Sequence, residues 1–459
     1  MLVPEKFMNA LVFVLFLLCN IKGFSQEIKL EFPYFKNTLW DMIVFQGEKQ
    51  DTILSGKIGS DGKVVLQIPE EYKEYAGMAR WLLRGGGGVD MVLNKENFEI
   101  ICLSAQPNEG NIVYKGSPEN DFLYKNYREQ TDILTRHELI ENILKIYEDG
   151  HPIYQASLKE RIFLENKWKE FRNNLKITSL YSARFREIVD LTRGIGDEIS
   201  QNENDKAIEF DYFITNQMSW EALFTSNHWS QVIYSWIQMH KEVVKDNKIL
   251  LKNIRNVLSR IQDNVQYTDF CRELIINLTE KKKDPLLDSL RKEILGSGKL
   301  ITKEGIISIL TAPNVGDIVP IQWIPSSNRN VLVDSIGFNL SKSSLNWNHY
   351  LVLFYQSSCG PCENLLKELI EFYPLLNGKG IRLVSVSGDN DENLFFQTAS
   401  KHPWEEKLFD GKGFKGTNFV NFGVWKTPTL VILDKNEKIL MRTSELLEML
   451  EWIDTNLNR

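Results

Sequence analysis

The chain of 459 residues is 43% hydrophobic and 25% charged, which is the make-up of a folded protein, and its length predicts two to four domains. Its formal net charge of -7 and its pI near 5.6 provide no overall attraction for phosphate backbones, so we expect no nucleic acid partner.

Residues 1–25 have the pattern of a secretory signal peptide. Lys6 precedes an apolar run at residues 10–18, and small residues follow before Gln26. We expect cleavage near Ser25 and export of the mature chain. No later segment has the roughly 18 apolar residues that a spanning helix needs, so we expect no membrane span after cleavage. Two alternatives are an uncleaved membrane anchor and a lipid on Cys19, although bulky residues precede that cysteine.

Residues 26–117 predict a β-rich domain, because short alternating or apolar runs are separated by Gly, Pro and Asp-Gly. The Asp-Gly pair at 61–62 predicts a hairpin turn, since these residues tolerate the positive φ angles of tight hairpins. The four glycines at 85–88 resemble a phosphate-binding loop only superficially. Such a loop needs a following Lys-Ser/Thr and a helix start, so we expect a loop between strands.

Residues 118–305 predict a helical middle region. Apolar side chains recur there near a 3.6-residue period, as at residues 158, 162, 168, 171 and 175. The tryptophans of this region could line a ligand or peptide groove, but packing in the core is the preferred interpretation. Its histidines lack metal-ligand spacing, so we expect no metal site.

Residues 313–459 predict an α/β domain, because strand and helix patterns alternate. Strands are expected at 350–355, 381–386, 429–433 and 438–440, with helices at 360–376, at 391–401 and from about 444. The fold class predicted for the whole chain is therefore multidomain, with a β-rich domain, a helical region and a C-terminal α/β domain.

A Cys-Gly-Pro-Cys motif lies where the strand at 350–355 turns into a helix. The free N-H groups and the positive macrodipole of a helix N-terminus stabilise a thiolate on Cys359, and the three-residue spacing puts Cys362 on the same helical face. We predict that these two residues are a catalytic pair that forms a redox-active disulfide.

Other uses of the cysteine pair fit the sequence less well. A zinc site needs a second pair of ligands, and c-type haem attachment needs His where Glu363 stands. A static disulfide across so short a loop would contribute little loop-closure entropy. We therefore expect neither a metal nor another cofactor.

Residues 313–456 resemble TlpA/ResA-type members of the thioredoxin superfamily, through the lead-in Pro-Asn-Val-Gly-Asp at 313–317, the motif at 359–362 and Lys-Thr-Pro-Thr at 426–429. The resemblance implies a thioredoxin fold, a cis Pro428 that faces the cysteine pair, and a Thr427 backbone that pairs with an extended strand of the substrate. It also implies exported exchange of dithiols and disulfides. The preceding β region resembles an uncharacterised domain of Gram-negative envelope redoxins, so we expect a periplasmic location.

Two positions depart from the pattern of this family. The aromatic residue that many relatives have before the first cysteine is Ser358 here, and apolar Leu353 replaces the buried acid of thioredoxins. The usual proton acceptor for Cys362 is therefore missing. Glu363, Lys426 or water could assist, and no general base is assigned.

The predicted function is an exported thiol:disulfide oxidoreductase that reduces protein disulfides. Its expected partners are disulfide-bearing envelope proteins and an electron donor that the sequence does not identify. One alternative is a thiol peroxidase, although residues 355–358 lack the Pro and Thr spacing of peroxiredoxins. Another is an envelope binding protein with a vestigial redoxin domain.

Overall fold

A computed structural model describes residues 26–108, 110–278, 285–303, 305–322 and 347–457. The predicted signal peptide, its cleavage site at Ser25 and Cys19 lie outside these residues. Within the described ranges, no helix combines the length and the apolar character needed to cross a bilayer.

The first part of the chain is a β-sandwich. One sheet has the strand order β4-β1-β7-β8 and the other β3-β2-β5-β6, and apolar side chains from both sheets form one core. Alternation along the strands explains this core, because every second side chain of β1, such as Ile28 and Leu30, is buried. The strands are β1 Gln26–Glu31, β2 Leu39–Gln46, β3 Lys49–Lys57, β4 Lys63–Ile68, β5 Ala76–Leu83, β6 Gly88–Asn94, β7 Phe98–Cys102 and β8 Ile112–Lys115.

The predicted hairpin at 61–62 is wrong in one respect. Gly62 has a positive φ of 80° and the turn is tight, but β3 and β4 belong to different sheets and β4 pairs with β1. The turn therefore carries the chain across the sandwich. The glycines at 85–87 lie between the antiparallel strands β5 and β6, as predicted, and Gly88 begins β6.

Helices follow the sandwich, as the periodicity predicts. Ser117 caps the first helix by accepting the N-H of Asn120, whose side chain bonds both backbone groups of Val92 in strand β6, at 2.8 Å and 3.0 Å. The core of this region includes three tryptophans that the sequence assigns to packing, Trp220, Trp229 and Trp236, each at most 3% exposed. The helices are α1 Pro118–Ile146, α2 Pro152–Ile177, α3 Tyr181–Thr192, α4 Glu203–Tyr212, α5 Trp220–Phe224, α6 Trp229–Met239 and α7 Asn247–Arg260.

The chain divides into two compact units, one ending at Gln262 and one beginning at Asp263. Helices α8, Asn264–Leu278, and α9, Pro285–Gly296, therefore belong to the second unit although they continue the helical pattern of the first. Arg291 of α9 holds the end of the short helix that follows, by donating to the carbonyls of Ile309, Leu310 and Ala312.

The second unit contains a five-stranded sheet with the order β11-β10-β9-β12-β13, which confirms the predicted α/β architecture. Strand β9 is buried on both faces: Leu351, Leu353 and Tyr355 face one core, and the alternate residues face the other. The strands are β9 His349–Tyr355, β10 Ile381–Ser387, β11 Glu406–Phe409, β12 Thr429–Asp434 and β13 Ile439–Thr443, and the helices are α10 Gly360–Gly378, α11 Glu392–Ala399, α12 Thr417–Asn421 and α13 Leu446–Leu457.

Helices cover both faces of this sheet. Helices α10 and α13 pack on one face, and α12 lies on the other. Residues 316–319 bond to the start of β13 and to the turn before it. The Gly316 N-H is 2.8 Å from the carbonyl oxygen of Ile439, and the Val319 N-H is 3.0 Å from that of Glu437. Strand β9 is central in the sheet, so its carboxyl end presents the junction with α10 at one edge of the domain.

Candidate functional site

Cys359 is the N-cap of helix α10. It has extended backbone angles, and its Sγ accepts the N-H of Cys362 at 3.3 Å. Pro361 fits the first turn, where its missing N-H would have no intrahelical partner. The local sequence thus starts the helix at the motif and places an N-H donor against the first sulfur.

The two sulfurs of the motif have different surroundings. Cys359 is partly exposed, whereas Cys362 is 0% exposed, and both are free thiols. The pKa of Cys362 is raised to about 11. Burial of the thiol is the largest cause, and its contact with Cys359 is the next. Cys362 is therefore protonated near neutral pH, and Cys359 is the sulfur that a large reactant can reach.

The loop before strand β12 lies against the cysteine pair. The peptide bond between Thr427 and Pro428 is cis, and the carbonyl oxygen of Thr427 is 3.7 Å from the Sγ of Cys359. The Thr427 hydroxyl also donates to the side-chain oxygen of Gln356 at 3.4 Å. The structure thus brings together all four residues that the sequence assigns to the site: Cys359, Cys362, Thr427 and Pro428.

A cavity of about 350 Å³ lies beside the cis-proline loop. Its wall combines apolar and charged side chains from helix α10, the loop and the start of α13. The lining residues are Pro361, Leu365, Glu368, Lys426, Thr427, Pro428, Ser444, Glu445 and Leu446.

The polar side chains considered as proton acceptors have other partners. The carboxylate of Glu363 is 3.1 Å from the ammonium of Lys367, and the ammonium of Lys426 lies 5.4 Å from the centre of the Trp425 ring. Leu353, at the position of the thioredoxin acid, is 0% exposed. We therefore assign no general base among these residues.

Sequence reasoning missed a buried carboxylate behind the motif. Asp389, 4% exposed, accepts the backbone N-H of Ser357 at 2.9 Å and the Ser357 hydroxyl at 2.6 Å. A signal for it exists in the sequence, because residue 389 follows a buried strand. The carboxyl ends of parallel strands meet at one edge of a sheet, and β10 is parallel to β9.

We expect iodoacetamide to modify Cys359 selectively in the reduced, folded protein at pH 7.5. Cys359 is partly exposed, whereas Cys362 is buried and its pKa is raised to about 11, so its thiolate fraction grows only as the pH approaches that value. Peptide mass spectrometry after timed alkylation measures the two sites separately. Equal labelling of both cysteines in folded protein would contradict this assignment.

Comparisons with known sequences locate a domain in this part of the chain. Residues 348–439 match the model of a family described as thioredoxin-like. Nucleoredoxin from Bos taurus is 29% identical over 152 residues, which are 32% of this chain and 34% of that protein. Tryparedoxin from Trypanosoma brucei brucei is 27% identical over 113 residues, which are 24% of this chain and 78% of that protein. The chain thus spans about a third of the length of the nucleoredoxin it matches.

Solved structures also resemble the chain. A thioredoxin-like protein from Bacteroides caccae is 13% identical and covers 56% of this chain and 95% of its own, with a TM-score of 0.33. A thiol-disulfide oxidoreductase from Bacteroides fragilis is 20% identical and covers 24% of this chain and 86% of its own, with a TM-score of 0.22.

Proposed function

We propose, on the premise that residues 348–439 form a thioredoxin-like domain, that the protein is a thiol:disulfide oxidoreductase that reduces protein disulfides. One observation carries this proposal. A partly exposed cysteine caps a helix, with a backbone N-H 3.3 Å from its sulfur, and a buried, protonated cysteine lies one turn further along. This is the asymmetry that an attacking thiol and a resolving thiol require.

The reaction has two exchange steps. The thiolate of Cys359 attacks one sulfur of a substrate disulfide, which forms a mixed disulfide and releases the other sulfur as a thiolate. Cys362 then loses its proton to that thiolate or to water and attacks the sulfur of Cys359. The products are the 359–362 disulfide and a substrate with two reduced thiols, so both electrons come from the cysteine pair.

Substrate approach would use the cis-proline loop and the cavity beside it. The carbonyl oxygen of Thr427 lies 3.7 Å from the attacking sulfur, so a bound peptide strand would run past Thr427 and Pro428 toward Cys359. The cavity of about 350 Å³ next to them would take a neighbouring side chain of the substrate.

The cellular setting of this activity is also a proposal. The pattern of residues 1–25 supports export, and the family resemblance supports the periplasm of a Gram-negative cell. The substrates would then be disulfide-bearing envelope proteins. An electron donor must reduce the 359–362 disulfide again after each turnover.

Reduction of insulin disulfides by the mature chain, with dithiothreitol as the electron source, tests the proposed function. We expect catalysed precipitation of the insulin B chain, and a loss of at least about 100-fold in rate for Cys359→Ser, because the nucleophile is removed. Cys271→Ala is the matched control, since it removes a buried thiol of the same unit that lies outside the motif. A folded protein with no rate above background would favour a binding protein with a vestigial redoxin domain.

A further inference from the structure

The segment that leads into the motif, residues 356–359, is here called the cysteine turn. Residues 388 and 389, which follow strand β10, bond to this turn and to the residue before it. The N-H of Gly388 donates to the carbonyl of Tyr355 at 2.7 Å, and the side-chain amide of Gln356 donates to the carbonyl of Gly388 at 3.2 Å. The carboxylate of Asp389 accepts hydrogen bonds from the backbone N-H and the hydroxyl of Ser357.

We propose that Asp389 is a positioning residue for dithiol exchange, which holds the cysteine turn so that Cys359 begins helix α10 with its sulfur at the N-H of Cys362. This inference rests on the proposed function. It concerns a residue that acts through Ser357, two positions before Cys359, rather than through a hydrogen bond to either sulfur.

The chemistry of the network requires a carboxylate. Asp389 is 4% exposed, and its two oxygens accept the N-H of Ser357, the hydroxyl of Ser357 and the hydroxyl of Ser387 at 2.7 Å. Bonds to an ionised acceptor are shorter and stronger than neutral ones. An amide at this position offers one accepting oxygen, so it cannot accept all three donors on two oxygens in the same way.

The position of Ser357 affects the reactivity of Cys359 through a second hydrogen bond within the cysteine turn. The N-H of Cys359 donates to the carbonyl of Gln356 at 3.3 Å, which closes the cysteine turn just before the helix. If Ser357 is released, the sulfur of Cys359 loses its fixed place near the helix N-terminus and near Thr427. Displacement of a reacting atom by about 1 Å can cost two orders of magnitude in rate.

The test uses the full mature chain with four single variants and the double variant Asp389→Asn/Ser357→Ala. Asp389→Asn and Ser357→Ala break the contact, and Ser357→Thr restores the hydroxyl. The matched control is Asp391→Asn, which alters a nearby exposed carboxylate that caps helix α11 and lies outside this network.

We expect kcat/KM for insulin to fall about tenfold in Asp389→Asn and in Ser357→Ala, and to stay within about twofold of the parent in Ser357→Thr and in the control. The double variant should fall no further than Asp389→Asn, since both changes break one contact. Additive losses, or an equal loss in Asp391→Asn, would overturn the proposal. If Asp389→Asn does not fold, Ser357→Ala against Ser357→Thr decides the question.

The pH profile of Cys359 alkylation separates positioning from simple charge. Loss of the helix N-H contact should move the profile of Asp389→Asn to higher pH, whereas mere removal of a nearby negative charge should move it to lower pH. A shift to lower pH, or none, would overturn the proposal. Alkylation needs no reductase activity, so this result stands apart from a failure of insulin reduction in the parent protein.

Discussion

Cys362→Ser is expected to accumulate mixed disulfides with specific proteins, whereas Cys359→Ser accumulates few or none. The first variant keeps the attacking sulfur and removes the thiol that would resolve the adduct, so the reaction stops after its first step. The second variant removes the sulfur that starts the reaction. The expected difference in adduct yield is at least about tenfold, because only one variant retains the nucleophile.

The geometry of the site explains why the roles are not interchangeable. Cys359 is partly exposed at the start of helix α10, and Cys362 is 0% exposed one turn further in. Burial raises the pKa of Cys362 to about 11, so a lone Cys362 remains a protonated, covered thiol near neutral pH. A protein substrate cannot easily reach it without local opening of the helix start.

Non-reducing gels of cells that express each variant, followed by peptide identification, measure the adducts. The double variant Cys359→Ser/Cys362→Ser is the control for adducts through Cys102 or Cys271, which are both buried. Equal adduct patterns from the two single variants would show that the roles are misassigned. Absence of adducts from both would favour a binding protein over an oxidoreductase.

The α/β part of the fold is predictable from the sequence because its strongest elements are long and locally patterned. Strand β9 is a continuous apolar run after His349, and helix α10 begins at Gly360 with Pro361 in its first turn. Strand β11 and helix α12 were not predicted, since each has at most five residues and is fixed by its neighbours in the sheet and core. Periodicity also misplaces Ile162, which is 50% exposed, while Leu164 is buried instead.

The site was predictable only where its residues share one motif. Spacing and helix context identify Cys359 and Cys362, and the family resemblance adds Thr427 and Pro428. Asp389 was missed because its role depends on the pairing of β9 with β10, which the local sequence does not specify. Likewise, the apolar face of an amphipathic helix does not specify which part of the protein packs against it. The sequence therefore did not show that α8 and α9 belong to the second unit.

A buried charge cluster joins three helices of the first unit. Asp190 of α3 is 1% exposed and lies 3.0 Å from the guanidinium of Arg172 in α2 and 2.9 Å from that of Arg186. Arg186 also donates to the side-chain oxygen of Gln130 in α1. Both arginines are at most 4% exposed, so ion pairs rather than water compensate their charges: Arg172 also pairs with Asp197 at 3.3 Å, and Asp190 is the carboxylate that pairs with Arg186.

Asp190→Asn should lower the free energy of unfolding of this unit by about 3–5 kcal/mol, because it keeps the shape of the side chain but leaves the buried guanidinium of Arg186 without its carboxylate and that of Arg172 with Asp197 alone. Asp132→Asn is the matched control: Asp132 pairs with Arg136 at 3.3 Å on the exposed face of α1, and its loss should cost less than about 1 kcal/mol. Chemical unfolding of the full chain, monitored by the far-UV circular dichroism of its helices, compares the free energies of unfolding of the two variants. If both variants lose the same small amount, water or local rearrangement compensates the arginines, and the cluster does not hold the three helices together.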